Sequence, residues 1–369
     1  MHLYVHVPFC RSKCAYCGFA SAPPAACGDI LSYVHAVVQE MYARAHEVQG
    51  KQVKSLFLGG GTPSLLPVSS LEQILAAAAS CFTWQDNAEI TLEANPESVI
   101  SSDLVRTWRK QGFNRISLGV QSLDRDLLRF LGRTHTPEQV RKAVGLIRRA
   151  GVDNFGLDLI WGIPGQNLDS WLQTLREALS LEPAHLSLYS LSLEPNTPLA
   201  ALADEKELKW PEEEIWEQMF IQGRELLIQS GFVHYEISNF ARPGRECRHN
   251  RCIWRGEEYM GFGPSAVSTV SQVRIRNPER LSEYLQMIKD HHPLPAQEAL
   301  SPQIRDREMI MLGLRTRQGI DWMEAESRLE REFVGQLERA GLIEINGGRL
   351  CLTPQGMLVS NEILSRLLQ

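Results

Sequence analysis

The sequence predicts an α/β protein: a partial, open (β/α)6 TIM-like barrel followed by a C-terminal winged-helix-like α+β domain. Three observations carry this. Six short β-rich runs alternate with helical periods over the first two-thirds of the 369 residues, the mark of repeated βα units around a parallel sheet. Six units are fewer than the eight of a closed barrel, so the sheet is expected to stay open. From Ser301 onward the order becomes helix, helix, helix, a two-strand hairpin turning at Asn346-Gly347-Gly348, and a final helix over 354–368, which is the order of a winged helix.

The six strands are predicted at 3–7, 53–58, 89–93, 115–120, 154–160 and 185–189, mostly unbroken apolar runs of the kind found in strands covered on both faces. Helices fill the gaps at 29–48, 69–79 with Ser69 or Ser70 as N-cap, 102–111, 136–150 and 168–181, with capping residues placed as helix starts require. After about residue 200 the rhythm stops. A charged stretch 204–214 and a helix near 215–230 lead to Cys247-Arg-His249-Asn-Arg-Cys252-Ile-Trp254 and the glycine-rich Gly261-Phe-Gly-Pro264. The predicted division is therefore 1–240 as the barrel core, 241–300 as a connecting segment carrying the His249 to Trp254 loop, and 301–369 as the C-terminal domain. No fixed-period repeat or low-complexity tract interrupts it.

Composition bounds the function. Hydrophobic residues are 43% and charged residues 22%, near globular averages. No apolar run approaches the ~18 residues of a membrane span, and no secretory signal pattern opens the chain, so a cytoplasmic location is expected. The eight cysteines then lie in a reducing environment, where they serve as ligands or small buried hydrophobes rather than as bridges. With 38 basic against 44 acidic residues and a net charge of -6, no footprint for nucleic acid is present, and the winged-helix-like domain is expected to pack or to contact a protein partner.

The chemistry begins at Cys10-Arg-Ser-Lys-Cys14-Ala-Tyr-Cys17. Three thiols on one short loop are an odd number for disulfides. As thiolates they can ligate three irons of a cubane cluster and leave the fourth iron open to a substrate or cofactor. Structural zinc is the rival, but it would need a fourth ligand at short range, and the nearest extra thiol, Cys27, stands in a Pro/Ala loop. The other unusual residues follow the same logic of position. Gly59-Gly60-Gly61-Thr62-Pro63 follows the second strand, Glu93 ends the third, Gln121 ends the fourth and Asp158 lies near the end of the fifth. All fall at carboxyl ends, the rim on which βα barrels assemble chemistry.

Each has its own reason. The glycines let a polar ligand approach bare backbone. Glu93 and Asp158 are carboxylates in apolar strand sequence, costly to bury unless paired; they either tie to backbone amides or bind an ammonium group or ribose hydroxyls. Arg133 in Leu-Gly-Arg-Thr-His135 presents a planar fork suited to a carboxylate, or else is solvated.

Taken together, Tyr4-Val-His-Val-Pro-Phe-Cys10, the Cys-x3-Cys-x2-Cys spacing, Gly-Gly-Gly-Thr-Pro63, Glu93, Gly-Val-Gln121, Gly-Arg133 and Leu-Asp158-Leu-Ile resemble the radical S-adenosylmethionine (SAM) family, over nearly the whole chain. The similar branch holds the oxygen-independent coproporphyrinogen III oxidases and the haem chaperones. The resemblance implies that Cys10, Cys14 and Cys17 hold a 4Fe-4S cluster whose fourth iron SAM chelates. It also implies SAM contacts from Tyr4, Tyr16, Gly60, Gly61, Thr62, Glu93, Gln121, Arg133 and Asp158, with Gln121 and Asp158 at the ribose and Arg133 at the carboxylate. Such a cluster needs an electron donor, and a radical made from SAM must be kept from solvent.

Within that branch, the oxidases carry a fourth cysteine where this chain has Phe19, and a long extension where only three residues precede Tyr4. Both departures point to the haem chaperones. Those chaperones read His-Asn-x-x-Tyr-Trp, whereas this chain reads His249-Asn250-Arg251-Cys252-Ile253-Trp254, without the tyrosine. His249 remains as an axial haem ligand and Cys252 as a second soft candidate; the alternative is a satisfied loop histidine and buried thiols. The leading expectation is a haem chaperone that hands haem to haemoproteins such as respiratory enzymes, with dimerisation left open. Its alternatives are an oxygen-independent coproporphyrinogen III oxidase and a cluster-containing winged-helix regulator, which would bind DNA in a salt-dependent way.

Overall fold

A computed structural model describes residues 1–205, 208–290 and 297–368. Strands β1 (His2–Val7), β2 (Gln52–Gly60), β3 (Thr83–Ala94), β4 (Arg115–Gln121), β5 (Phe155–Trp161) and β6 (His185–Ser190) lie side by side in chain order, each parallel to the next. All six predicted runs are strands. β3 starts earlier than the sequence pattern suggests, because Thr83 and Trp84 pair with Gln52 and Val53 before the register shifts.

The six strands bury the two faces differently. One face presents Leu3, Val5, Val7, Leu56, Leu58, Leu92, Leu118, Leu157, Leu159 and Leu186, all fully buried in the main core. By the two-residue period of a strand, the opposite face carries Tyr4, Ser55, Glu93, Ser117, Asp158 and Ser187. The expectation of strands apolar on both faces is therefore corrected: the inner face is polar because it lines the barrel lumen rather than packing on helices.

The outer face is covered by helices Ile30–Arg44, Val68–Cys81, Ser102–Lys110, Pro137–Arg149 and Leu168–Ser180. Their starts are local chemistry. Asp29 accepts from the Ser32 amide at 2.8 Å, Ser101 from the Leu104 amide at 3.1 Å, and Thr136 with Gln139 and Asn167 with Ser170 form reciprocal capping boxes, each satisfying amides that the first turn leaves unpaired. One start differs from expectation. The second helix begins directly after Pro67 with no side-chain cap, and Ser69 and Ser70 lie inside its first turn.

Both edges of the parallel sheet are extended. β7 (Val233–Glu236) and β8 (Asn239–Ala241) form a hairpin whose β8 pairs antiparallel with β6. On the far side β9 (Tyr259–Phe262) pairs parallel with β1, followed by antiparallel β10 (Val267–Val270), β11 (Val273–Arg276) and β12 (Gln297–Ala299), so the sheet counts twelve strands and remains open. Within 241–300, predicted as a connecting segment, β9 to β12 are instead part of the sheet. Its anchor is Glu40, a carboxylate 1% exposed. It accepts from the Gly263 amide at 2.9 Å, Asn277 Nδ2 at 2.8 Å and the Tyr284 hydroxyl at 2.8 Å, and pairs with Arg44 at 3.1 Å. A buried charge with its lone pairs this fully used fixes geometry.

Helix Arg248–Trp254 closes the amino-terminal end of the barrel. Its first amide, Arg248 N, donates to Glu89 Oε1 at 2.8 Å. Beyond it come helix Pro302–Leu314, the short strand β13 (Ile320–Asp321), helices Trp322–Ala325 and Arg331–Arg339, and strands β14 (Ile343–Asn346) and β15 (Arg349–Leu352), the three strands forming a small sheet ordered β13-β15-β14. Gly347 and Gly348 turn the β14–β15 hairpin at φ 57° and 77°, backbone that glycine adopts without steric cost. The single helix predicted over 354–368 is two, Pro354–Leu358 and Ser360–Leu367, parted at Val359. Among the described residues no helix is long and apolar enough to cross a membrane.

Candidate functional site

Where β1 ends, the chain folds a loop over the rim. Cys10 N donates to Ala22 O and Ala22 N to Pro8 O, both at 3.0 Å, pinning the base of the loop. Its tip is held from below, Ala15 N donating to Leu131 O at 3.1 Å. Gly132 makes that seat possible, since at φ +73° a Cβ there would stand 3.1 Å from Ala15 N. Cys10, Cys14 and Cys17 are all free and partly exposed on this loop. Burial pushes the Cys17 thiol upward, so a metal that takes it as thiolate must displace a firmly held proton.

One polar chain joins two of these sulfurs across three strand ends. Thr62 Oγ1 donates to Cys10 Sγ at 3.6 Å and accepts from Asn95 Nδ2 at 2.9 Å. Asn95 Oδ1 accepts from Arg133 Nη2 at 2.6 Å, and Arg133 Nη1 reaches Cys14 Sγ at 3.5 Å. Arg133 Nη2 also donates to Gly119 O at 2.8 Å, while its Nε is buried without a partner. Asn95 escaped the sequence analysis. The available signal is a polar side chain directly before Pro96 at the carboxyl end of a strand.

The glycine triplet is packed as its bareness suggests. At Gly61 a Cβ would stand 2.5 Å from Phe9 O, and at Gly60, φ +103°, 2.6 Å from the His6 ring. Gly61 N donates to Val7 O and Thr62 N to Phe9 O, both at 2.7 Å, lacing the end of β2 to that of β1. Gly60 N donates to Glu93 Oε2 at 3.1 Å. The Tyr4 hydroxyl meets His6 Nδ1 at 3.1 Å, and His6 Nε2 meets Ala20 O at 3.0 Å. A carbonyl can only accept, so His6 carries its proton on Nε2 and Tyr4 donates to Nδ1.

Burial dominates the electrostatics. Glu93 is pushed up to about 8 by burial, with the nearby Asp158 adding to it. Asp158 is also raised by burial, although it accepts from Ser187 Oγ at 2.6 Å and Ser117 Oγ at 3.0 Å. Both serines were missed in the sequence; their signal is a polar residue at the inward phase of neighbouring strands. Gln121 takes φ +64° where the β4–β5 register slips between Gly119 and Gln121. A non-glycine residue held in this region at a strand bulge stores strain, a pattern that clusters at functional sites. Tyr16 packs on the small apolar group of Leu127, Leu131, Ile160 and Ile163, and burial keeps its phenol protonated.

The residues fit an iron–sulfur cluster with a small cationic ligand. Three thiols share one exposed loop, two of their sulfurs already accept hydrogen bonds, an arginine beside them has an unused buried N–H, and two carboxylates lie beneath. His249 and Cys252 lie elsewhere. They belong to the floor helix at the opposite end of β1, where the His249 ring stacks on Phe57 at 5.1 Å and on Tyr4 at 5.9 Å between ring centres. His249 is 7% and Cys252 1% exposed. Expected from the sequence as haem ligands, both are buried against the barrel floor, away from the cysteine loop.

Residues 4–178 match the sequence profile of the radical SAM superfamily, and residues 300–359 that of the HemN C-terminal domain. Heme chaperone HemW of Synechocystis sp. is 35% identical over 402 aligned residues, covering 99% of this chain and 95% of that protein. The chain belongs to the HemW family of radical SAM proteins. Heme chaperone HemW of Bacillus subtilis is 31% identical, over 99% of this chain and 98% of the relative. Among solved structures, coproporphyrinogen III oxidase HemN from Escherichia coli superposes with a TM-score of 0.85 at 25% identity, covering 98% of this chain and 88% of that one. Membership of the radical SAM superfamily implies a 4Fe-4S cluster and SAM.

Proposed function

We propose that this chain is a haem chaperone that binds a 4Fe-4S cluster, SAM and haem and delivers haem to haemoproteins, respiratory enzymes among them, in the cytoplasm. The observation that carries the reading is the end-to-end likeness to heme chaperone HemW of Synechocystis sp., 35% identity over 99% of this chain. The cluster is assigned to Cys10, Cys14 and Cys17, and when bound it supplies a low-potential electron from an external donor.

SAM is assigned to the surrounding mouth. Arg133, anchored on Asn95 and Gly119 O, points a fixed fork for a carboxylate beside Cys14. Gly60, Gly61 and Thr62 form the rim at the end of β2, laced to the end of β1, and Gln121 and Asp158 are assigned to sugar hydroxyls. Glu93, protonated at neutral pH by its burial, loses that proton most readily when a cation arrives above it. Tyr4 and Tyr16 seal the flanks against water.

For haem, a cleft of about 640 Å³ between the outer face of helix Arg248–Trp254 and the C-terminal domain has the size and lining of a ligand site. Arg255 and Arg317 line it without a carboxylate partner among the described residues, beside Trp254, Ile320 and the Met309 thioether. Two free guanidinium groups suit propionates, and a thioether suits iron. Haemin titrated into the cluster-loaded protein is expected to give a saturable Soret shift that weakens about tenfold or more in an Arg255→Glu/Arg317→Glu variant. No Soret shift in the wild type would sink the chaperone reading.

The likeness to HemN favours one other reading, oxidative decarboxylation of coproporphyrinogen III. Anaerobic incubation with that substrate, SAM and reductant is expected to yield no protoporphyrinogen; robust turnover would replace the chaperone reading with the enzymatic one. The winged-helix regulator has no supporting charge, with a net -6 over the chain, and is disposed of by a gel shift without a retarded band.

A further inference from the structure

The floor of the barrel holds a second group of soft donors that neither the cluster nor SAM uses. His2 at the start of β1 and His249 and Cys252 on the floor helix bring one ligand atom each within 4.8 Å of one another, and all three residues are buried. We propose that His2, His249 and Cys252 form a structural zinc site, with Glu257 beside them as the fourth donor.

Several independent features converge on it. The donor types are two imidazoles and a thiol, the borderline set that zinc takes in closed tetrahedral sites. His2 is already oriented as a ligand: its Nδ1 is engaged by Ser55 Oγ at 2.7 Å, turning Nε2 toward the group, the arrangement that outer partners impose on metal-binding histidines. Nε2 of His2 contacts Glu257 Oε2 at 3.2 Å, so a carboxylate stands at the edge of the cluster, itself held by Lys54 at 2.8 Å. On the other side Nδ1 of His249 is buried with no hydrogen-bond partner. An unsatisfied ring nitrogen walled in by Phe57, Tyr4 and His2 is the exception that needs a missing partner, and a cation bound among the three residues provides one. Cys252 follows His249 by about one turn on the floor helix, where a spacing of three residues brings side chains together.

The consequence is architectural. The site would join the first residues of β1 to a helix some 250 positions later, clamping the floor while the opposite rim stays open for ligands. The site does not depend on the chaperone reading, since a zinc clamp serves an oxidase of this fold equally.

The test uses the cluster-loaded protein, expressed with zinc supplementation and passed over a desalting column with a chelator. Elemental analysis is expected to give ~1 zinc per chain besides the cluster iron, and zinc-edge X-ray absorption one sulfur at about 2.3 Å with three nitrogen or oxygen neighbours at about 2.0–2.2 Å. Cys252→Ser and His2→Gln are each expected to cut zinc at least fivefold while iron per chain is unchanged. Zinc at background in the wild type, zinc surrounded by three sulfurs as the Cys10 loop would give, or full zinc in both variants would overturn the proposal. The wild-type spectrum decides even if a variant fails to fold.

Discussion

The mouth and the floor of this barrel gather similar donor atoms under opposite conditions. At the mouth Cys10, Cys14 and Cys17 lie partly exposed on a loop, with Cys10 held by Thr62 and Cys14 by Arg133 from two other loops. At the floor His2, His249 and Cys252 are buried between a strand and a helix. The mouth keeps its donors on a loop because a cofactor must enter and leave; the floor keeps them on regular elements because nothing has to move. On the mouth side Gln121 is held at φ +64°, as expected where binding requires a backbone that packing alone would not choose.

That contrast can be broken experimentally. The largest expected effect is at the mouth: Cys14→Ser should drop iron from about four to below one per reconstituted chain, with far-UV circular dichroism unchanged. Retention of a full cubane signal in EPR would show that the loop is not its holder. Next is the floor, where Glu89, 6% exposed, receives the Arg248 amide and neighbours the Cys247 thiol. Removing that buried acceptor in Glu89→Ala should cost about 1–3 kcal/mol in urea unfolding, leaving iron content alone. Equal loss of iron would mean the two ends are mechanically coupled.

A smaller effect is expected from Arg133→Lys. Lysine keeps the charge but cannot serve Asn95, Gly119 O and Cys14 at once, and SAM affinity by calorimetry should fall about tenfold, roughly 1.4 kcal/mol. The smallest effect is on pH dependence. Because burial lifts Glu93 to about 8, the folded ligand-free protein keeps a proton there that the unfolded chain releases near about 4.3. Stability should therefore fall as pH rises between those values, and Glu93→Gln should flatten the slope. An unchanged slope would remove Glu93 as its source.

The rim was legible because its signals are local. Cysteine spacing, the glycine triplet at the end of β2 and Glu93 near the end of β3 each need only a few neighbouring residues to be read, whereas Asp158, expected near a strand end, sits at the middle of β5. Asn95, Ser117 and Ser187 were harder, because their importance comes from the partner each meets on another strand: Arg133 for Asn95, Asp158 for both serines. The 241–300 stretch misled for a related reason. Its strands are short, and β9 finds its place through pairing with β1, His2 against Tyr259, far back in the chain.

Sequence alone determined the order of βα units, the cysteine loop that follows the first of them and the Asn346-Gly347-Gly348 hairpin, because periodicity, spacing and turn chemistry act between near neighbours. Only the tertiary structure decided which face of each strand turned inward, that Glu40 would knit the late strands to the early barrel, and that His249 would close the floor rather than face solvent. Those outcomes depend on burying polar groups with partners hundreds of residues away, and a partner at that distance leaves no trace in the local pattern.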